Sequence, residues 1–327
     1  MIIRLGHGAG GRMTSELVER LFLPQLGTEQ LEAGEDSGTA AGRALTIDSF
    51  TVTPQDFPGG DIGRLAVCGT LNDLAMVGAS PAGLAAAFVL EEGLEGEDLE
   101  RWAGSMGDTC REAGVELVAA DTKVVERGAA DRIYITTAGL GAVPAGVRVS
   151  ASLAVPGDLV MVSGPVGDHG ATILSLREGL GLEADLKSDA APLAAPVAAL
   201  LSACTVHTLR DPTRGGLAQT LNEIASASKC RIELNEAAVP VRPAVRTVCD
   251  LVGIDPLEMA SEGRFLVVLP EEEAQAAMSA LSEHPVCEGA SIIGRVRKGP
   301  EDVVLRTRAG ARRTLAMPLG EHLPRIC

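Results

Sequence analysis

Aromatic side chains are almost missing from this chain: one Trp, one Tyr and five Phe make up 2% of its 327 residues. A core with so few rings must be filled by Ala, Val, Leu and Ile, the composition of packed helix-on-sheet layers. Basic charge is also scarce. Lys and Arg number 28 against 44 Asp and Glu, a net charge of −16, which repels nucleic-acid backbones and anionic lipid and makes DNA and RNA unexpected partners. A bound cation and a few backbone N–H groups can reverse the local field, so small anions remain possible ligands. Long apolar runs are lacking as well. Met1 to His7 carries no signal-peptide stretch, and nothing later approaches the roughly 20 apolar residues of a membrane span, so a cytoplasmic protein without a membrane partner is expected. Seven cysteines stand at 68, 110, 204, 230, 249, 287 and 327, with neither paired metal spacing nor a disulfide framework. Six of them read as small buried residues, whereas Cys327 ends the chain, where a segment is normally mobile and wet.

What is present is alternation. With 46% hydrophobic residues the length supports two domains of α/β or α+β type. Strand-like runs at 44–47, 83–90, 115–119 and 133–137 are interleaved with helical periods. The clearest helix spans 97–113, with Leu99, Trp102, Met106 and Cys110 on one face, acids at its start and Gly114 at its stop. A second helix, 62–77, is apolar on several faces and therefore buried, with Asn72 and Asp73 as exceptions that need an explanation. Turn residues at Val155-Pro156-Gly157-Asp158 mark a boundary. The division expected is a glycine-rich start with a helix (1–40), an N-terminal domain (41–155), a C-terminal αβ domain (156–317) and a tail (318–327). In the second half strands are expected at 159–162, 231–234 and 265–269, and helices at 171–177, 217–227 and 244–252.

Several motifs carry candidate chemistry. Gly6-His7-Gly8-Ala9-Gly10-Gly11-Arg12 precedes an amphipathic helix and offers backbone N–H groups to phosphate, although a flexible turn has equal standing. Aspartates fall at strand ends or turns: Asp48, Asp61, Asp121 and Asp211. Carboxylates gathered in this way suit magnesium bridged to phosphate, while each alone is commonly a cap or turn residue. Asp73, inside an apolar helix, must be paired or metal-bound. Asp121-Thr122-Lys123 follows a strand, where sheets present ligand sites, with a surface lysine as the plain alternative. Arg214, in Asp211-Pro212-Thr213-Arg214-Gly215-Gly216, can grip phosphate with both guanidinium nitrogens, or the segment is an ordinary turn that starts a helix. Asp168-His169-Gly170 opens another helix, where a lone His is more often structural.

These motifs, with Phe57-Pro58-Gly59-Gly60-Asp61, Gly69-Thr70-Leu71-Asn72-Asp73-Leu74-Ala75, Asp121-Thr122-Lys123-Val124-Val125, Asp168-His169-Gly170-Ala171-Thr172 and the ending Pro324-Arg325-Ile326-Cys327, resemble the HypE family of hydrogenase-maturation proteins from His7 to the last residue. Looser forms occur in aminoimidazole ribonucleotide synthetase, selenophosphate synthetase and thiamine monophosphate kinase; the tail singles out HypE. The resemblance implies two αβ domains of the aminoimidazole ribonucleotide synthetase type. It also implies an N-terminal domain that forms a β-barrel across a homodimer, and a flexible C-terminal tail. The implied activity is ATP-dependent dehydration of an S-carbamoyl group on Cys327 to a thiocyanate. The carbamoyl donor would be the carbamoyltransferase HypF, and the cyano group would pass to iron on a HypC–HypD complex to supply [NiFe]-hydrogenase.

The same resemblance implies roles for residues. Cys327, Glu262 and Lys123 would be catalytic, with Glu262 in Ser261-Glu262-Gly263-Arg264 as the base. ATP would be held by Gly10, Gly11, Asp48, Asp61, Asn72, Asp73, Asp121, Thr122, Lys123, Asp211 and Arg214. Mg²⁺ would be held by Asp48, Asp73, Asp121 and Asp211, with Asn72 and Asp61 in support. Ten tail residues extend roughly 33 Å, at about 3.3 Å each, enough to visit both an outside donor and an inside nucleotide. Two rivals remain: a synthetase or kinase acting on a diffusible acceptor, and a nucleotide-sensing scaffold without catalysis. Selenophosphate synthetases usually carry a reactive Cys or selenocysteine and a Lys in the glycine-rich segment, and positions 6–13 contain neither.

Overall fold

A computed structural model describes residues 2–28, 34–182, 186–320 and 325–327. Strands β1 (Gly38–Ala40), β2 (Arg43–Phe50), β5 (Ser80–Glu91), β6 (Leu117–Val125) and β7 (Ile133–Ala142) form a five-stranded sheet in the order β1-β2-β7-β5-β6, in which β5 and β6 run parallel and the other pairs antiparallel. Between β2 and β5 lies a two-stranded ribbon, β3 (Asp56–Phe57) with β4 (Gly60–Asp61).

One face of the five-stranded sheet is covered. Asp61 starts the Ile62–Met76 helix by accepting the Arg64 N–H at 2.9 Å, and the helix is buried on nearly every side. The Gly96–Ala113 helix carries Glu97 and Asp98 in its first turn and Arg111 in its last, and Gly114 ends it at φ +68°, where a side chain would be strained. Its Trp102 is buried, and the indole N–H reaches Asp56 at 3.0 Å. The opposite face of the sheet is bare: Leu45, Ile47 and Leu140 are 60, 71 and 45% exposed. The barrel expected across a homodimer is not closed by one chain, because both edge strands, β1 and β6, end the hydrogen-bonded series.

The second sheet has seven strands in the order β14-β13-β10-β12-β8-β11-β9, with only β10 and β13 parallel. They are β8 (Leu159–Val162), β9 (Thr208–Arg210), β10 (Arg231–Asn235), β11 (Leu266–Leu269), β12 (Ser291–Arg297), β13 (Val303–Arg306) and β14 (Arg312–Thr314). Period-two alternation explains why β8 and β11 are apolar at every position. Val160, Val162, Leu266 and Val268 pack towards the Gly216–Ser228 helix, whereas Met161, Val267 and Leu269 meet the Ala194–Ala203 and Ala274–Ser282 helices.

One sequence expectation needs correction. Strand 115–119 is in fact β6, Leu117–Val125, so Asp121, Thr122 and Lys123 lie within it. An edge strand tolerates this polar run because one side of its ladder faces solvent. The last residues are docked in this structure. Ile326 is 1% exposed and belongs to the same core cluster as Phe50 and Leu71. A buried aliphatic side chain gains more than the chain end loses in freedom. Pro324 and residues 321–323 lie outside the described residues.

Candidate active site

Thr46, Asp48 and Phe50 alternate onto the helix-covered face of β2. Thr46 Oγ1 donates to Asp73 Oδ2 at 2.9 Å and so fixes the carboxylate that the Ile62–Met76 helix delivers in its last turn. Asp211 follows β9 directly. Burial, with the nearby charge of Asp48 added and Arg210 opposing, pushes its carboxyl up to about 6. Burial also raises Asp73 well above the usual range, with Asp211, Asp36 and Asp48 adding to the effect. Asp48 is raised mainly by burial, against the pull of Arg214.

Glu262 is 3% exposed, and its Oε1 is buried without a hydrogen-bond partner. Burial first, then Asp211, Asp48 and Asp189, hold it well above the usual carboxylate range, with Arg214 opposing. Its main chain is pinned, since its N–H donates to Asp189 Oδ1 at 3.0 Å and its carbonyl accepts from Asn72 Nδ2 at 3.1 Å. Asn72 Nδ2 also donates to the Ala191 carbonyl at 3.1 Å, and Asn72 Oδ1 accepts the Leu193 N–H at 2.8 Å. Asn72 therefore joins three segments, and its side chain is occupied by backbone.

Arg214 links these acids to both chain ends. Its guanidinium is held charged by Cys327 first, then Asp48, Glu262 and Asp73, and its Nη1 donates to the Gly8 carbonyl at 3.4 Å. Gly10 sits so close that a Cβ there would lie 2.8 Å from the Arg214 Cβ, and at φ +80° the backbone itself favours glycine. The Gly11 N–H is taken by Gln219 Oε1 at 2.6 Å, and a Cβ on Gly11 would strike the Pro318 carbonyl at 2.4 Å. The glycine-rich segment thus lies against both the Arg214 turn and the base of the tail, where Arg12 and Met13 donate to the Pro318 and Leu319 carbonyls at 3.0 and 3.3 Å.

The other end of the tail reaches the acids. The Cys327 carbonyl accepts the Thr51 N–H at 3.1 Å. Burial drives the thiol pKa up; Arg214 pulls it down, while Glu262, Asp48 and Asp73 push it further up. A terminal thiol is thereby set among one guanidinium and several carboxyls.

Not every expected residue joins this cluster. Asp61 caps the far end of the helix that carries Asp73, about 18 Å away at roughly 1.5 Å per residue. Burial raises its carboxyl while Arg64 N–H opposes. Asp121 pairs in register with Ala87, Thr136 and Ser49, the row that points to the bare face, whereas Asp48 pairs with Thr137 on the covered one. Three strand spacings, about 14 Å, and the thickness of the sheet separate them within one chain. Lys123 donates to Asp121 at 2.5 Å; both are exposed, and that hydrogen bond lowers the Asp121 carboxyl. Thr122 lies between them on the exposed edge strand.

The family models of the AIR synthase related protein match residues 34–143 (N-terminal domain) and 155–306 (C-terminal domain). Carbamoyl dehydratase HypE of Azotobacter vinelandii is 47% identical over 331 residues, 99% of this chain and 97% of that one. The chain belongs to the HypE family. A solved HypE in complex with ATP superposes with a TM-score of 0.85 at 46% identity, covering 100% of both chains. The HypE of a HypE–HypF complex gives 0.89 at 43% identity, covering 92% of this chain and 99% of that one. Two AIR-synthase-type αβ domains follow from these matches.

In this HypE fold two acids and an arginine that belong to no sequence motif also come together. Asp36 lies 3.2 Å from Arg210 Nε, and Arg210 also pairs with Glu223 at 2.7 Å. Their only sequence signal was adjacency, Arg210 beside Asp211. Burial keeps Asp36 well above the usual range despite Arg210. Hard oxygen donors with unbalanced buried charge fit a divalent cation of the magnesium kind. Among the described residues no three of these groups converge into a preformed cage. No helix among the described residues is long and apolar enough to cross a membrane.

Proposed function

We propose that the chain is an ATP-dependent carbamoyl dehydratase acting on its own Cys327. The observation that carries this reading is the docked tail, with Ile326 in the core and the half-buried Cys327 within the electrostatic reach of Arg214, Glu262, Asp48 and Asp73. A carbamoyl group on Sγ would enter the same surroundings. Its oxygen is a poor leaving group. Attack of that oxygen on the γ-phosphorus of ATP releases ADP and makes the oxygen part of a phosphate. Loss of phosphate together with two protons from nitrogen leaves S–C≡N, so one water equivalent departs as phosphate takes up the oxygen.

In this scheme Arg214 balances charge on the transferring phosphoryl group. Glu262, in its ionised form, accepts a proton from nitrogen. Asp48, Asp73 and Asp211, with Asp36 behind them, would hold Mg²⁺, which neutralises the phosphates when bound. Gly10 and Gly11 would lie along the phosphates, and Asn72 fixes the Glu262 loop. Asp121 and Lys123 face away from this cluster in one chain, and Thr122, on the other face of β6, is three strands from it, so we assign all three to the site of a second copy. That copy would cover Leu45, Ile47 and Leu140 and extend the edge at β6, completing a barrel across a homodimer.

Residues 41–155 and 156–317 are taken as the two domains. The segment 318–327 would swing between this docked position and a carbamoyltransferase of the HypF kind. The cyano group would then pass to iron on a HypC–HypD complex in the cytoplasm. The test is intact-mass measurement of the full chain after incubation with HypF, carbamoyl phosphate and Mg-ATP. A carbamoyl adduct that loses the mass of one water, mapped to Cys327, is expected. An adduct that persists under ATP turnover, or conversion that survives Cys327→Ala, would overturn the reading.

A further inference from the structure

Asp168-His169-Gly170 has no role in the chemistry described so far, yet His169 is buried and touches the tail. Its Nε2 lies 2.8 Å from the Ile326 carbonyl oxygen and its Nδ1 2.8 Å from Ser188 Oγ. Ser188 Oγ already accepts the Ala190 N–H at 3.2 Å, so its own hydrogen is available to Nδ1. The Ile326 carbonyl can only accept, which assigns the ring hydrogen to Nε2. Burial lowers the His169 pKa, which agrees with a neutral ring. Phe57 meets the ring edge-on at 5.4 Å between centroids and fixes its plane.

The three final carbonyls are each bound by a different donor: Arg325 by Arg177, Ile326 by His169 and Cys327 by Thr51. The middle one is the deepest, because the Ile326 side chain is 1% exposed. A buried carbonyl that loses its partner costs far more than an exposed one. Main-chain capture also sets how far the chain end reaches, and with it the place of Sγ relative to Arg214 and Glu262.

We propose that His169, oriented by Ser188, is the positioning residue that holds the docked tail through the Ile326 carbonyl and so places Cys327 for reaction. The role rests on the dehydratase reading for its purpose but not for its first test. In the full-length protein, alkylation of Cys327 by iodoacetamide is followed by mass spectrometry, with the partly buried Cys204 as internal reference. His169→Ala should raise the Cys327 rate roughly tenfold, the loss expected for a buried hydrogen bond, and leave the Cys204 rate unchanged. His169→Gln, which keeps an N–H donor, should restore slow labelling. Ser188→Ala, which leaves the ring in place but frees its tautomer, should give a smaller rise and serves if the alanine variant at 169 does not fold.

An unchanged Cys327 rate in the folded variants overturns the proposal, and so does a parallel rise at Cys204. A second readout separates the two ideas: HypF-dependent carbamoylation of His169→Ala should proceed at the wild-type rate or faster while dehydration slows. A wild-type protein that forms no thiocyanate defeats the dehydratase reading and leaves the labelling result to judge His169 alone.

Discussion

The side-chain nitrogen of Asn72 donates to the main-chain carbonyl of Glu262 at 3.1 Å, across 190 positions of sequence. The helix that presents Asp73 and the loop that presents Glu262 are thereby tied together. Asn72→Ala removes this bond and those to Ala191 and Leu193, leaving buried carbonyls and an N–H unpaired. A loss of about 3 kcal/mol is expected, read by urea denaturation. Dehydration should slow as well, while carbamoylation of Cys327 continues.

Glu262→Gln should separate folding from chemistry. The amide has the shape of the neutral acid that burial favours, so the melting temperature should hold or rise. Loss of a general base costs a hundredfold or more, on the order of the usual contribution. Single-turnover conversion of carbamoylated protein measures it. A variant that converts at the wild-type rate removes Glu262 from the mechanism.

The raised acids give a pH dependence of known sign. Asp211 is pushed up to about 6 by burial, above its unfolded value near 3.8. Without metal its contribution to stability is therefore full below about pH 4 and is lost as pH rises through about 6. Magnesium, which needs the ionised carboxylate, should reverse the loss. The expected outcome is a melting temperature raised by MgCl₂ near pH 7.5 but not near pH 4.5, followed by calorimetry. Equal shifts at both pH values would argue against these carboxyls as the binding group.

The opposite facing of Asp48 and Asp121 predicts that two copies share a site. Lys123→Ala and Cys327→Ala chains, each inactive alone, should regain activity when mixed and refolded together, since a heterodimer joins an intact thiol to the partner's lysine. No recovery would place Lys123 with its own tail. Ile47→Asp should weaken the dimer at least tenfold without unfolding the chain, because Ile47 is 71% exposed in one copy. Sedimentation velocity reads this directly.

Much of the fold was legible in the sequence where the pattern had a single physical solution. Helix 62–76 was marked by its apolar breadth, helix 96–113 by its acids, its stripe and Gly114. The apolar runs at 159–162 and 265–269 announced strands β8 and β11. Asp73 was suspect because a carboxyl in such a helix cannot stand unpaired. Edge strand β6 was cut short because its polar half resembles a loop, and only pairing with β5 shows that it continues.

By itself the sequence determined which chemical groups this chain can bring to a reaction: a terminal thiol, a set of aspartates, Arg214 and one glutamate. It also determined the helices and strands that carry them, because local periodicity and capping act within a few residues. Tertiary structure alone decided which of these groups meet. The face on which Asp121 lies depends on strand register, and the bond from His169 to Ile326 joins positions 157 apart. Contacts of that range are set by how whole layers pack, and no short stretch of chain contains that information.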